Sequence, residues 1–281
     1  LIELVRASAQ RGNIDEALAG LDKIPRQSSG ADEAHKLRGD LLLYGKRDMD
    51  AAMVAYREAL QVNPSYLEGQ AAVVQLLLLQ GKTEAAAEAL QRLAKAAPGK
   101  PQTLYLQAML AYAKNDLKAA QEHAQKLVSL TPENFRALEL AGMTELRLGA
   151  NVQAEALLAK ALQLEAGLPM ARRGLVTAYV RQGRLDKAMS ALPVDVERND
   201  RDPGMMALAG QVYMLHGDVD RAQRYFARAS SLDPKDPAKR TSLAVSRLAS
   251  GQGDAALGEL QSIAASDDGV VADMALINAL L

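Results

Sequence analysis

Three histidines, His35, His123 and His216, are the side chains of this sequence best suited to bind a metal or carry a proton. They stand far apart and at unrelated places in the period described below, so they cannot converge on one ion. Each reads as a surface or packing residue. A second candidate is the acidic run Asp195, Glu197, Asp200 and Asp202. A calcium loop needs oxygen ligands at fixed positions around an obligate glycine. Here the spacing and the glycine are missing, and Arg198 and Arg201 interleave, which fits a solvated, irregular linker. No cysteine is present, which removes disulfides, thiol nucleophiles and thiolate metal sites. No phosphate-binding loop, nucleophile motif or dinucleotide fingerprint occurs. The sequence therefore points to no catalytic residue, no metal and no cofactor, and we expect a chain that is not an enzyme.

Charge narrows the partners. Lysine and arginine total 33 against 34 aspartates and glutamates, without the basic excess that a general nucleic-acid binder needs. Apolar residues make up 49% of the chain, enough to bury. Alanine and leucine dominate them, which favours helix at low side-chain entropy cost. The longest apolar run, Ala71 to Leu79, is interrupted by Gln75 and is too short to span a bilayer. No signal peptide is visible. The sequence starts at Leu1 without methionine and ends at Leu281 inside a helical pattern. We read it as a fragment of a longer protein, with any targeting segment outside it.

The elements that would position a site are set by an internal repeat. Ala52, Ala86, Ala120, Ala154, Ala188, Ala222 and Ala256 follow one another at intervals of 34 residues. Five residues before most of them stands a turn former: Gly81, Asn115, Gly149, Gly183, Gly217 and Gly251. Twelve residues after several of them stands Pro64, Pro98, Pro132 or Pro234. The physical reading is a helix pair. Glycine or asparagine takes the left-handed conformation that ends the first helix. Alanine lets the second helix approach its neighbour closely. Proline stops the second helix, because it cannot continue the hydrogen-bond ladder. Between these marks apolar residues recur at helical spacing, as in Ala86, Leu90 and Leu93 or Ala222, Phe226 and Ala229.

This pattern resembles the tetratricopeptide repeat (TPR), a helix-turn-helix of 34 residues. Gly210, Gly217, Ala222, Phe226, Ala229 and Pro234 match its motif best, followed by Gly142, Gly149, Ala154, Leu158 and Ala161. The family's tryptophan is absent. Glu145 and Arg247 replace its usual Tyr or Leu, with Leu146 and Leu248 one residue on. Pro25 cuts the second helix of the first repeat short, and Pro193 ends another helix. The resemblance implies an all-α fold, a TPR helical-repeat solenoid winding as a right-handed superhelix. We expect one continuous solenoid over residues 1–281, with repeats at about 1–30, 33–66, 67–100, 101–134, 135–168, 169–202, 203–236 and 237–270. A lone terminal helix follows at 271–281, half of a ninth repeat or a cap.

In the family the first helix of each repeat lines the concave side. That geometry, carried over residue by residue, exposes Tyr105, Met109, Tyr112, Arg136, Glu139, Met143, Arg147, Met170, Arg173, Thr177, Arg181, Gln211 and Met214 toward a groove. Methionine suits adaptable contact, tyrosine gives area at low entropic cost, and arginine forks onto carboxylates. The implied partner is a protein or extended peptide bearing acidic groups. The competing reading packs the methionines between repeats and leaves the arginines solvated. The asparagines of a chaperone-tail clamp and of a glycosyltransferase ladder are missing. Leu41, Gln75, Met109, Met143, Thr177, Gln211 and Val245 fill the clamp position.

The stretches from Arg240 to Leu257 and from Val271 to Leu281, with Leu37 to Leu43, resemble the long TPR lipoproteins of bacterial PEP-CTERM/exosortase systems (PrsT-like). That resemblance implies a periplasmic, outer-membrane-anchored scaffold beside exopolysaccharide production and protein sorting, touching the membrane only through a lipid anchor outside this fragment. Secretion or sorting components would be its partners. Two alternatives stay open: a cytoplasmic TPR adaptor or co-chaperone, and a polysaccharide-secretion module that contacts glycan through Tyr105 and Tyr112.

Overall fold

The computed structural model describes residues 2–25, 28–193, 202–266 and 270–280. All regular structure among them is helical. The helices fall into successive pairs: α1 (Ile2–Gln10) with α2 (Ile14–Leu21), α3 (Ala31–Asp40, continued by a π-helical turn, Leu41–Gly45) with α4 (Met49–Val62), α5 (Leu67–Leu79) with α6 (Thr83–Ala96), and α7 (Pro101–Ala113) with α8 (Leu117–Leu130). They continue as α9 (Phe135–Arg147) and α10 (Asn151–Leu164), α11 (Pro169–Arg181) and α12 (Leu185–Ala191), α13 (Pro203–His216) and α14 (Val219–Leu232), α15 (Pro237–Ala249) and α16 (Gly253–Ser266). A last helix, α17 (Val270–Leu280), packs on α15 and α16. Two compact units emerge, residues 1–144 and 145–281, the division falling within α9.

The alanine ladder is the seam of each pair. Ala52, Ala86, Ala120, Ala154, Ala188, Ala222 and Ala256 are all 0% exposed, as is Ala17 in the first pair. Where a larger side chain fills the seam, the facing first helix gives way. A Cβ added to Gly210 would stand 2.7 Å from Phe226 Cδ1, and one added to Gly39 would enter the ring of Tyr56. Glu145 is buried beside Leu146, so the departure from the family pattern leaves a carboxylate in the packed row. Pro25 lies just past α2, whose last residue is Leu21. Of the acidic run, Asp195, Glu197 and Asp200 lie outside the described residues. Asp202 caps α13, accepting from Gly204 N at 2.8 Å.

The turns repeat one main-chain motif. Gly217 has φ 90°. The amide of the next residue, Asp218, donates back to Tyr213 O at 2.9 Å, closing the end of α13 in the Schellman manner. Lys82 N to Leu77 O, Asp116 N to Ala111 O, Ala150 N to Glu145 O and Gln252 N to Arg247 O repeat that bond, each at 2.9 Å. Asp48, Asp116 and Asp218 then cap the following helices, each accepting from the backbone amide three residues on.

Two joints do without glycine. Asn115 holds φ 62° and Arg47 holds φ 57°. Asparagine tolerates this region, whereas a long side chain is disfavoured there by about 1–2 kcal/mol. The Arg47 joint is also where the ladder step, from Ala17 to Ala52, is one residue longer than the others. The π-helical turn Leu41–Gly45 lies within that step, with Lys46 N bonded to Leu41 O at 3.1 Å. Arg47→Gly relieves the strain and, after the entropic cost of glycine, raises stability by about 0.5–1 kcal/mol. A higher midpoint in urea with unchanged slope would confirm it; a lower midpoint would show that the arginine side chain is needed.

Candidate functional site

In the first unit, two adjoining recesses of about 330 and 250 Å³ open along the first helices of successive pairs. They share Gln75 of α5, Gln102 of α7 and Arg136 of α9. Tyr44, in the π-helical turn, stands at one side and is 62% exposed. Gln75 Nε2 donates to its hydroxyl at 3.0 Å. Tyr105 lines the other recess and is half-buried. Burial raises the Tyr44 phenol; the Asp40 charge raises it further, and the Arg136 guanidinium draws it back. Tyr105 is likewise raised by burial, lowered by Arg136, and raised by Glu139 and Tyr44. One guanidinium thus acts on both rings.

The floor of the first recess is organised by Asp40, which accepts from Tyr56 Oη at 2.8 Å and from Lys36 Nζ at 2.7 Å. Burial, then the charge and hydrogen bond of Asp40, hold the Tyr56 phenol far above its ordinary range. Tyr66 is pushed up to about 12, first by burial and then by Glu68 and neighbouring carboxylates.

In the second unit a wider recess of about 490 Å³ is lined by Arg173 and Thr177 of α11, Gly204, Ala207, Leu208 and Gln211 of α13, Phe226 and Ser242. Arg173 Nη1 lies 3.0 Å from Asp202 Oδ2, and its Nη2 reaches Met170 Sδ at 2.8 Å. Thr177 Oγ1 donates to Arg173 O at 2.8 Å. Arg181 Nη1 donates to Leu146 O at 2.7 Å, meeting a carbonyl in the last turn of α9.

The residues expected from the sequence are therefore placed as follows. Tyr105 and Arg136 line recesses of the first unit. Met109, Tyr112, Glu139 and Met143 are half-buried in the same unit. Arg173, Thr177 and Gln211 line the recess of the second unit. Met170 is exposed there, and Arg147 is also exposed. Met214 packs against the cluster of Ala222, Phe226 and Leu243. Of the arginine row, Arg173 and Arg181 have partners within the fold. Tyr44, Gln75 and Gln102 were not among the expected groove residues. Tyr44 and Gln75 occupy motif positions mapped in later pairs, so extending the same map to the second and third repeats would have found them.

His35 Nδ1 lies 3.0 Å from Glu58 Oε2 without hydrogen-bond geometry. Among the described residues no group of three or more His, Asp or Glu side chains is arranged to hold a metal ion. No helix among them is long and apolar enough to cross a membrane.

Comparisons with known proteins agree with this architecture. A family model described as tetratricopeptide repeat matches residues 43–110, 145–211 and 213–280, and a second of the same description matches 105–169. The cellulose synthase operon protein C of Pseudomonas fluorescens (strain SBW25) is 25% identical over 218 residues, covering 70% of this chain. The chain spans 17% of that relative's length. A tetratricopeptide repeat protein from Parabacteroides merdae ATCC 43184 superposes with a TM-score of 0.62 at 16% identity, covering 87% of this chain and 96% of that one. PilW, described as a widely conserved type IV pilus biogenesis factor, superposes with a TM-score of 0.65 at 17% identity, covering 78% and 99% respectively.

Proposed function

The chain belongs to the tetratricopeptide-repeat family, and from that premise we propose that it is a non-catalytic interaction scaffold which holds an extended partner against the first helices of its repeats. One observation carries the reading. The walls of the three recesses described above come from first helices, α3, α5, α7 and α9 in the first unit and α11, α13 and α15 in the second, whereas a further recess of about 260 Å³ lies between α2, α3 and α4. Second helices contribute mainly the floor, through Tyr56 and Leu127 in the first unit and Phe226 in the second. The partner-facing set we propose is the one mapped from the family motif, from Tyr105 to Met214, enlarged by Tyr44, Gln75 and Gln102.

We place this scaffold on the periplasmic side of a bacterial envelope, in a PEP-CTERM/exosortase system that handles exopolysaccharide. The PrsT-like texture of Arg240 to Leu257 and of Val271 to Leu281 supports that placement. The relative named for a cellulose synthase operon supports only the link to exopolysaccharide.

The test is photo-crosslinking in the native host with the full-length protein. A photoreactive residue is placed at Met109, Tyr112 or Gln211 on first helices, or at exposed Arg92 or Lys126 on second helices. Adducts to a partner are expected from the first three positions at several times the yield of the last two. Equal yields from both sets, or adducts only from Arg92 and Lys126, would remove the reading.

A further inference from the structure

We infer that the recess pair of the first unit binds a linear, neutral oligosaccharide, held between Tyr44 and Tyr105 and hydrogen-bonded by Gln75, Gln102, Glu68 and Arg136. The inference rests on the proposed use of the first-helix face and names the ligand chemistry of one part of it.

Three observations lead there. The first is charge. Arg136 and Lys36 face Asp40, Glu68 and Glu139 in this region, and Lys36 is already bound to Asp40 at 2.7 Å. Opposed charges at this ratio give no field that would select an anion, so an acidic peptide or an acidic glycan gains little here. The second is the floor. Leu43 is 7% exposed, Ala72 8% and Leu106 1%. These floor side chains present little of themselves to the opening, so the first recess is lined mainly by polar groups, while the second keeps apolar surface beside Pro101, Tyr105 and Leu127. A path that changes from polar to apolar along its length suits a ligand carrying both hydroxyls and C–H faces better than a peptide read through alternate apolar side chains.

The third is what lines the opening: two tyrosine side chains and two-way polar groups. Tyr44 is more exposed than buried, and Tyr105 is half-open. Each glutamine amide both donates and accepts, the Glu68 carboxylate accepts, and the Arg136 fork donates. A sugar ring has the complementary structure, with apolar C–H faces for aromatic rings and an equatorial belt of hydroxyls that donate and accept. The two recesses share Gln75, Gln102 and Arg136, so they form one path rather than separate pockets. That suits several linked residues of a chain better than a single monosaccharide. Gln75 presently donates to the Tyr44 hydroxyl, and a ligand hydroxyl can take over that bond without leaving an unpaired group.

The experiment is titration of the intact protein with cellohexaose, maltohexaose and mannohexaose, read by intrinsic tyrosine fluorescence and by calorimetry. Hexagalacturonate serves as the anionic comparator, and a pool of uncharged random hexapeptides as the peptide comparator. At least one neutral hexasaccharide should bind with a dissociation constant below about 1 mM, at least tenfold tighter than hexagalacturonate. Tyr44→Ala and Gln75→Ala with Gln102→Ala should each weaken it tenfold or more, whereas Arg92→Ala, at an exposed position of the second helix α6, leaves it unchanged. Tyr44 is largely exposed, so its loss should not unfold the repeat; circular dichroism checks this. Tyr44→Phe, which keeps the ring, should retain most of the binding. No binding of any neutral hexasaccharide overturns the inference, as does preference for the anionic chain or the peptides. In those cases first-helix crosslinking to a protein partner can still succeed, so the two readings fail separately.

Discussion

Ala120→Asp lowers the stability of the first unit by about 3–5 kcal/mol, because it places an unpaired carboxylate where nothing can solvate it. Ala120 is 0% exposed in the seam between α7 and α8. Its neighbours in the buried row of α8 are Ala124 and Leu127, which offer no donor. Stability in a repeat array is close to a sum over neighbouring interfaces, so the loss should be local. Hydrogen exchange should show α7 and α8 opening first, with α13 to α16 keeping their protection. Leu130→Asp at the end of the same helix is the control; its side chain is 53% exposed, and the change should stay within about 0.5 kcal/mol. If both substitutions cost the same, the seam is not where the alanine ladder places it.

A second large effect is expected where a ring meets a bare backbone. Tyr56→Ala empties a buried site and costs about 3–5 kcal/mol, as truncation of buried aromatics does. It also deprives Asp40 of its 2.8 Å hydrogen bond. Gly39→Ala attacks the same contact from the other side. The new Cβ enters the Tyr56 ring, and the ring cannot retreat far, since Tyr56 is only 2% exposed. Overpacking of this kind costs about 1–3 kcal/mol. With Tyr56→Leu in place the smaller side chain yields room, so Gly39→Ala should then cost at least about 1 kcal/mol less than it does alone. Denaturant unfolding of the four members of that cycle measures the coupling. Strict additivity would show that Gly39 is present for a reason other than the ring.

The ladder of alanines and the turn residues make the helix pairs legible in the sequence, because each mark answers a local demand: a close approach, a left-handed turn or a broken hydrogen-bond ladder. Tyr105, Arg136, Arg173, Thr177 and Gln211, mapped from motif positions, all line recesses. What could not be read is what depends on long reach. Arg181 meets the carbonyl of Leu146, and Arg173 meets Asp202; neither pairing follows from a period within one repeat. Glu145 stays in the packed row although its neighbour Leu146 could have replaced it. The π-helical turn before Arg47 left only a faint trace, a single extra residue in one step of the ladder. Tyr44 sits in that turn yet keeps the motif position that Tyr112 holds two repeats on, so the same map carried into the second repeat reaches it.

The hydrogen bonds that close each joint run between main-chain atoms, from an amide just past the turn to a carbonyl near the end of the helix before it. Such a hinge asks little of the side chains around it. Substitutions can accumulate over the outer faces of the helices while every corner still closes in the same way. Chains sharing only 16 or 17% of their residues with this one can therefore superpose along most of its length. Surfaces that touch partners are then free to diverge on a framework that does not have to be rebuilt.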